Sequence, residues 1–415
     1  MGVSQMTADL IVAGGGPAGT AAAIRAAGAG LDVVLLDKAP AFPRPKVCGD
    51  ALTPRAVAAL GRLDVDIPST WQPACGLAAW GEGDHPYPFI WPAAAGPHLA
   101  YAVPRSQMDA HLLVTAQAAG ARVELGRTVT GLLLEGGRAV GVTTNNDTWR
   151  APVIVDATGA SSRLGVAAGM PRLPDRPMGV AVRGYMRGVD GAGEPWLHSW
   201  LALAGQDGTP LPGYGWVFPL GNGLFNVGVG QLSTSASFRH TDYRALLRQW
   251  VSTLPSDWGL AWVDAKPDIG GAMLPMGIDR RVVYRRGVLL TGDAAGLVNP
   301  FNGEGVSYAL DSGEMAGRAA VIAHRLGIGT PAAETALQGY HHSVKNAFGH
   351  YFWAGNLFTR LMGHQDVLTA CLRHGLPRAW VMRPVNKLMA NLIAPSGGSL
   401  DDRVLRGMLR FMPSA

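Results

Sequence analysis

Residues 9–38 read "DLIVAGGGPAGTAAAIRAAGAGLDVVLLDK", and the order strand, glycine turn, helix, strand within them decides the fold. Residues 9–13 are a short apolar run. Gly14, Gly16 and Gly19 then open an alanine-rich helix, and residues 31–36 form a second apolar run that ends at Asp37. Each glycine has a physical task. The first permits the tight turn, the second lets the backbone approach a pyrophosphate, and the third lets helix and strand pack closely. The helix start offers unpaired N–H groups and a positive dipole end to phosphates. Asp37, 18 residues past Gly19, is placed to accept from ribose hydroxyls. The glycine spacing alone is a weak signal. With this strand, helix and acid around it, it predicts a dinucleotide cradle rather than a plain turn. FAD and NAD(P) both use such a cradle.

Two later stretches favour FAD. "APVIVDATGASSRLG" (151–165) is a strand that stops at Asp156 and gives way to small residues. "RGVLLTGDAAGLVNPFNGEGVSYALDSGEMAG" (286–317) is a strand ending at Gly292 and Asp293, then a Pro/Gly loop, then a helix opening near Gly303–Gly305. A flavin dinucleotide needs these returns of the chain, because it must also be held along its ribityl group. Asp293 at a strand end can accept from ribityl hydroxyls. The positive end of the later helix can stabilise negative charge at N1 and O2 of a reduced flavin. Taken singly, Gly292-Asp293 is equally well an N-capped strand–helix turn.

Composition narrows the class. The chain has 415 residues, 48% of them hydrophobic and 16% charged, with net charge +5. That length predicts two or three domains with a large core. Its arginines are scattered and form no basic tract interleaved with aromatics, which argues against nucleic acid. Cys48, Cys75 and Cys371 are far apart, so neither a metal site nor a disulfide framework is expected, and the expected compartment is reducing. Neither a secretory signal nor an apolar run of spanning length is visible. The expected location is the cytoplasm.

The cradle, the "DATG" strand end and "GDAAGLVNPFNGEG" resemble the FAD-dependent oxidoreductases of hydroxybenzoate-hydroxylase fold. "FPRPKVCGDALTPRAV" (42–57), "LPGYGWVFPLGNGLFNVGVG" (211–230) and "NPFNGEGVSYAL" (299–310) narrow the likeness. Together they resemble the geranylgeranyl reductases, within them the reductases of menaquinone tails, from about residue 9 onward. The resemblance implies a Rossmann-like α/β FAD domain (1–70, 101–170, 280–330), an inserted antiparallel-sheet substrate domain (71–100, 171–279) and a C-terminal helical segment (331–415). It implies a cofactor set of Gly14, Gly16, Pro17, Ala18, Gly19, Asp37, Lys38, Lys46, Cys48, Gly49, Arg105, Val129, Asp156, Gly159, Gly292, Asp293, Pro300, Gly303 and Gly305. For Arg105, in "PRSQMDAHLL" (104–113), the plain alternative is a salt bridge to Asp109 in its own helix.

The loop "RPKVCGD" (44–50) joins one of only five lysines to one of three cysteines. Pro43 and Pro45 restrict it to few geometries. It follows the second strand, so it can turn back toward the cofactor with Lys46 and Cys48 in the pocket. The ordinary alternative is that both side chains stitch the loop to its neighbours. Stretches 179–186, 197–204, 213–220 and 224–232 read as strands with glycine-containing turns. Trp196, Trp200, Tyr214, Trp216 and Phe218 are expected to give that sheet an apolar aromatic face toward the flavin. Residues 401–412, "DDRVLRGMLRFM", set Arg403, Arg406 and Arg410 against Val404, Leu405, Met408 and Met412. That pattern fits either a membrane-surface helix or a helix packed on its own core.

The activity implied by the resemblance is reduction of double bonds in a prenyl chain on a quinone or geranylgeranyl lipid. Reduced FAD gives a hydride equivalent to one alkene carbon and a proton reaches the other. Cys48, Tyr214 and Trp216 are the expected catalytic residues, with Cys48 and Tyr214 as acid candidates. NAD(P)H or another reductant must resupply electrons. The rival is oxygenation by an aromatic hydroxylase or halogenase on the same fold. Tyr214-Gly-Trp216-Val-Phe218-Pro219 departs from the Trp-x-Trp-x-Ile-Pro stretch of halogenases, and no lysine lies between Lys46 and Lys266.

Overall fold

A computed structural model of the protein describes residues 5–81, 83, 85–92, 99–205, 208–264 and 268–415. Parts of the expected segment 71–100, namely residues 82, 84 and 93–98, lie outside the described residues, as does Lys266.

The cradle forms as its sequence dictates. Strand Leu10–Ala13 is fully buried and pairs in parallel with Val33–Asp37 on one side and Val153–Asp156 on the other. Gly14 turns at φ +109°, where a Cβ would stand 2.4 Å from the Ala157 carbonyl oxygen. Helix Pro17–Ala27 starts with proline at its first position, where the missing N–H costs nothing. The full sheet runs Tyr284–Arg285, Val288–Leu290, Val153–Asp156, Leu10–Ala13, Val33–Asp37, Arg122–Leu125. All its pairs are parallel except the first. The carboxyl ends of its central strands therefore open on one crevice, the usual ligand position in a doubly wound sheet. Helix Val306–Arg325 seals the cradle's back, and it approaches so closely that a Cβ at Gly313 would lie 2.0 Å from the Ala18 carbonyl oxygen.

A second, larger sheet covers the crevice. Its order is Ala261–Trp262, Met178–Arg187, Leu224–Leu232, Gly213–Pro219, Trp196–Trp200, Gly76–Trp80, Tyr87–Ile90, with Gly270–Pro275 also paired to Met178–Arg187. It is not wholly antiparallel as expected. Trp196–Trp200 and Gly76–Trp80 run parallel, because the latter strand arrives from an earlier stretch of chain and not through a hairpin. Strand alternation sorts the aromatics. Tyr214, Trp216 and Phe218 face the crevice. Trp200 faces away, stacked 4.9 Å from Trp80 and edge-on to Trp250 and Trp258. The expectation that Trp196 and Trp200 face the flavin side is thus corrected: their strand sends Leu197, Ser199 and Leu201 there instead.

The C-terminal helices Pro331–Met362, Ala379–Met389 and Leu400–Arg410 complete the chain. Among the described residues no helix is long and apolar enough to cross a membrane. On Leu400–Arg410 the three arginines Arg403, Arg406 and Arg410 share one side and the apolar residues the other. Leu405 packs inward, Val404 and Met408 are exposed, and Arg406 bonds the carbonyls of Ala394 and Gly397.

Candidate active site

One cavity of about 920 Å³ lies between the two sheets and reaches under the C-terminal helices. Its nucleotide end is the cradle. Gly14, Gly16, Pro17, Ala18, Asp37 and Lys38 line it, with Arg44, Arg127, Thr128, Val129 and Arg163. The helix above it has no acidic residue in its first turn and no side-chain cap on its start, so its N–H groups stay available to an anion. Arg44 lies 3.7 Å from where a Gly16 Cβ would stand, and its buried Nε has no hydrogen-bond partner. A glycine turn, an uncapped helix start and a ring of cations fit the pyrophosphate of a dinucleotide. Asp37 accepts from Gly15 N at 2.6 Å and from Ala39 N at 2.8 Å. It thereby holds the glycine turn while lining the cavity.

Two residues expected at the cofactor do not reach the cavity. Asp156 is fully buried, and its carboxylate accepts from Thr158 N (3.1 Å), Thr158 Oγ1 (2.7 Å) and Ser162 Oγ. It shapes the turn that carries Thr158 and Gly159 into the wall. Gly19 faces the strand, where a Cβ would stand 1.8 Å from the Gly14 carbonyl oxygen. The remaining expected residues all line the cavity: Lys46, Cys48, Gly49, Arg105, Val129, Gly159, Gly292, Asp293, Pro300, Gly303, Gly305, Tyr214 and Trp216. Arg105 makes the salt bridge of the plain alternative and also lines the cavity. Its guanidinium makes two bonds to Asp109, at 2.8 and 3.0 Å, and still forms part of the wall beside Cys48.

The loop 44–50 is held by a buried polar network. Asp50, at φ +63°, accepts from Arg105 N (3.0 Å), Tyr185 Oη (2.7 Å) and Asn226 Nδ2 (2.8 Å). Asn226 Nδ2 also donates to the Cys48 carbonyl (2.9 Å), and its Oδ1 accepts from Trp216 Nε1 (2.9 Å). Arg183 donates to the Lys46 carbonyl at 3.0 Å and sits over the Tyr185 ring. Burial pushes the Asp50 carboxyl above the ordinary range, against these donors. Gly49 lets the loop lie on Trp216 and Phe218, since a Cβ there would be 3.3 Å from the Phe218 ring.

Beyond the loop the wall turns apolar. Phe358, Met362, Leu368, Leu372, Leu376, Val381, Met382, Val385 and Met389 close it, and the wall residues contributed by the C-terminal helices are all uncharged. The π-helical turn Cys371–Gly375 forms part of this end. Buried Lys387 anchors the covering helix through Asp402 at 2.9 Å. Sequence reasoning missed this contribution, because a helix face turned to a cavity carries the same apolar pattern as one turned to a core. It also missed Glu304, which lies inside a quoted motif where only the glycines drew notice, and Arg44, Asp50 and Asn226.

A sequence profile described as FAD dependent oxidoreductase matches residues 95–318, and one described as FAD binding domain matches residues 9–44. The menaquinone reductase of Mycolicibacterium smegmatis is 42% identical over 318 residues, covering 74% of this chain and 75% of that protein. A digeranylgeranylglycerophospholipid reductase of Methanopyrus kandleri is 32% identical over 328 residues, covering 77% of this chain and 81% of its own. A solved geranylgeranyl bacteriochlorophyll reductase-like protein from Thermoplasma acidophilum shares the fold, with a TM-score of 0.79 over 98% of this chain and 100% of that one at 24% identity. The chain belongs to the FAD-dependent oxidoreductases, in the geranylgeranyl-reductase family.

Proposed function

We propose that the protein saturates carbon–carbon double bonds of a prenyl chain carried on a quinone or a glycerolipid. The observation that carries this reading is the continuity of the cavity. It starts at a cationic glycine cradle and ends in an uncharged tunnel under the C-terminal helices. A long apolar chain fits that end, and a small polar aromatic compound would leave it unfilled. The relatives named as menaquinone and digeranylgeranylglycerophospholipid reductases support the same reading.

When bound and reduced, FAD supplies a hydride equivalent. Gly14, Gly16, Pro17, Ala18, Asp37, Lys38 and Arg44, at the cradle, would hold its nucleotide, and Arg105, Val129, Gly159, Gly292, Asp293, Lys46, Cys48, Gly49, Pro300, Gly303 and Gly305, which line the same cavity, would hold the rest. Tyr214, Trp216 and Phe218 press the prenyl chain toward the cofactor's reactive end and exclude water. NAD(P)H or another reductant restores the electrons. The same reading keeps the proposed division into an FAD domain (1–70, 101–170 and 280–330), a substrate domain (71–100 and 171–279) and a C-terminal cover (331–415). Limited proteolysis that cuts within them rather than between them would refute that division.

Contact with a lipid surface completes the reading. The packed elements Tyr87–Ile90, Ala379–Met389 and Leu400–Arg410 each leave large apolar side chains exposed, namely Ile90, Trp380 (77%), and Leu400 with Val404, and Phe411 just past the last helix is 91% exposed. Arg403 and Arg410 are exposed on the last of these helices, as suits anionic lipid.

The test is anaerobic. The FAD-loaded protein is reduced with dithionite, mixed with a menaquinone or a geranylgeranyl lipid, and the lipid is weighed by mass spectrometry. A gain of two hydrogens with reoxidised flavin is expected. No change without oxygen, with one oxygen gained by an aromatic compound in air, would replace this reading by monooxygenation.

A further inference from the structure

We propose that Glu304 is the general acid that gives the second hydrogen to the prenyl alkene. The assignment rests on the reading of the reaction above and names a residue that reading left open. An isolated trisubstituted alkene is a weak base, so the acid must stand beside it in a dry wall. Glu304 stands in that wall, next to Gly303 and Gly305 and within electrostatic reach of Tyr214. Tyr214 itself is ruled out by its own bond. Its hydroxyl donates to the Asn302 carbonyl at 2.6 Å, and burial pushes the phenol far up. Asp50 accepts from three donors, one more than Glu304 does, and Asp37 stands at the nucleotide end of the cavity.

Among the described residues no lysine or arginine lies within ion-pair distance of Glu304, and Arg55, which attracts its carboxylate from farther off, is paired with Asp311 at 2.6 Å. A proton on Glu304 therefore breaks no salt bridge. Burial raises its carboxyl above the ordinary range, while the Ser307 hydrogen bonds and the Arg55 charge oppose that rise. Ser307 N donates to Oε1 at 2.7 Å and Ser307 Oγ bonds Oε2 at 2.7 Å. Both sit at the start of the 20-residue helix Val306–Arg325. A carboxylate left behind after transfer is thus received by an N–H, a hydroxyl and a positive helix end. In the balanced step the alkene π bond breaks and two C–H bonds form. One takes the hydride equivalent of the reduced cofactor. The other takes the Glu304 proton, whose O–H bond breaks, and water returns a proton to the carboxylate after product leaves.

The test compares wild type with E304Q, whose amide oxygen still accepts from Ser307 N, and with E304D, which keeps an acid at shorter reach. Infrared spectra of the FAD-loaded proteins at neutral pH are expected to show a protonated-carboxyl C=O band in wild type that is missing in E304Q. Anaerobic reoxidation of the dithionite-reduced proteins by menaquinone is expected to slow on the order of 100-fold or more in E304Q, with partial recovery in E304D and unchanged FAD content. Reoxidation by oxygen, which needs no alkene protonation, serves as the folding control. If E304Q keeps the wild-type menaquinone rate within threefold, or if no carboxyl band is lost, Glu304 is not the acid, while the reduction itself stands. If wild type adds no hydrogen to any prenyl lipid, the reading of the reaction fails and takes the acid with it.

Discussion

Asn226→Ala tests whether the polar network, rather than apolar packing, holds the loop over the cavity. Asn226 is fully buried and makes three hydrogen bonds, to the Cys48 carbonyl, Asp50 Oδ2 and Trp216 Nε1. Its removal strands two groups. The Trp216 indole N–H and the Cys48 carbonyl lose their partner, whereas Asp50 Oδ2 keeps Tyr185. At about 1–3 kcal/mol for each buried group left unpaired, the cost is about 2–6 kcal/mol. A domain's whole stability is about 5–15 kcal/mol, so the effect is easily read. The assay is urea unfolding of the FAD-loaded protein, followed by flavin and tryptophan fluorescence. Trp216→Phe removes the stranded donor in advance, so the double variant Trp216→Phe/Asn226→Ala is expected to lose about 1–2 kcal/mol less than the sum of the singles. A single-variant loss below about 1 kcal/mol together with an additive cycle would refute the argument.

Four further outcomes are expected. His198 Nδ1 accepts from Trp80 Nε1 at 2.9 Å and its Nε2 meets the Gly193 carbonyl, so the ring is held neutral. Burial pushes it down to about 4. Stability owed to the neutral ring is full above its ordinary value near 6.5 and is lost as pH falls toward 4, by about 3 kcal/mol; a His198→Gln variant should show a flatter profile in pH-dependent urea melts. Lys387→Met leaves Asp402 buried without its cation, a loss of about 3–5 kcal/mol, and by loosening the covering helix should raise KM for the prenyl lipid more than it lowers kcat. Gly14→Ala sets a Cβ 2.4 Å from a backbone oxygen at φ +109°, and the purified protein should carry less than about a tenth of the wild-type flavin absorbance. The double variant Trp380→Ser/Phe411→Ser should abolish co-flotation with anionic vesicles while leaving flavin content unchanged; undiminished flotation would remove the surface assigned to the lipid.

How far the sequence could be read depended on how local each signal was. The cradle was legible because its glycines, helix and acid are neighbours in the chain and each spacing has one steric cause. The large sheet was legible as strands, but its parallel pair was not. No local pattern tells Gly76–Trp80 that it will meet Trp196–Trp200. Which aromatics face the cavity followed from period-two alternation. Trp196 and Trp200 were misplaced because tryptophans were counted as a class rather than by parity along the strand. Asp156 was taken for a cofactor ligand because a strand-end acid can serve the ligand or its own turn, and only the positions of Thr158 and Ser162 decide between them. Asp50 and Asn226 carry no signal in sequence at all, since 176 residues separate the partners of their bond.

The loop 44–50 shows why its composition is odd. At one end Arg44 faces Asp109 at 3.3 Å and Asp37 at 3.8 Å, on the cradle side. At the other, Asp50 is fixed to Tyr185 and Asn226 of the large sheet and to the backbone of Arg105. Between these ends the attachments are made by carbonyls, of Lys46 to Arg183 and of Cys48 to Asn226. The Cys48 side chain also meets the Arg105 guanidinium, and Lys46 and Cys48 both line the cavity. The loop spans the gap between the cradle and the face that carries Trp216, and so sets the distance between the nucleotide end and the tunnel. Replacing Cys48 by Ala or Ser therefore changes the chemistry presented to the cavity while leaving that distance intact. Replacing Asn226 does the reverse. If both substitutions gave the same change in FAD content and lipid turnover, the separation of anchoring from side-chain function would be wrong.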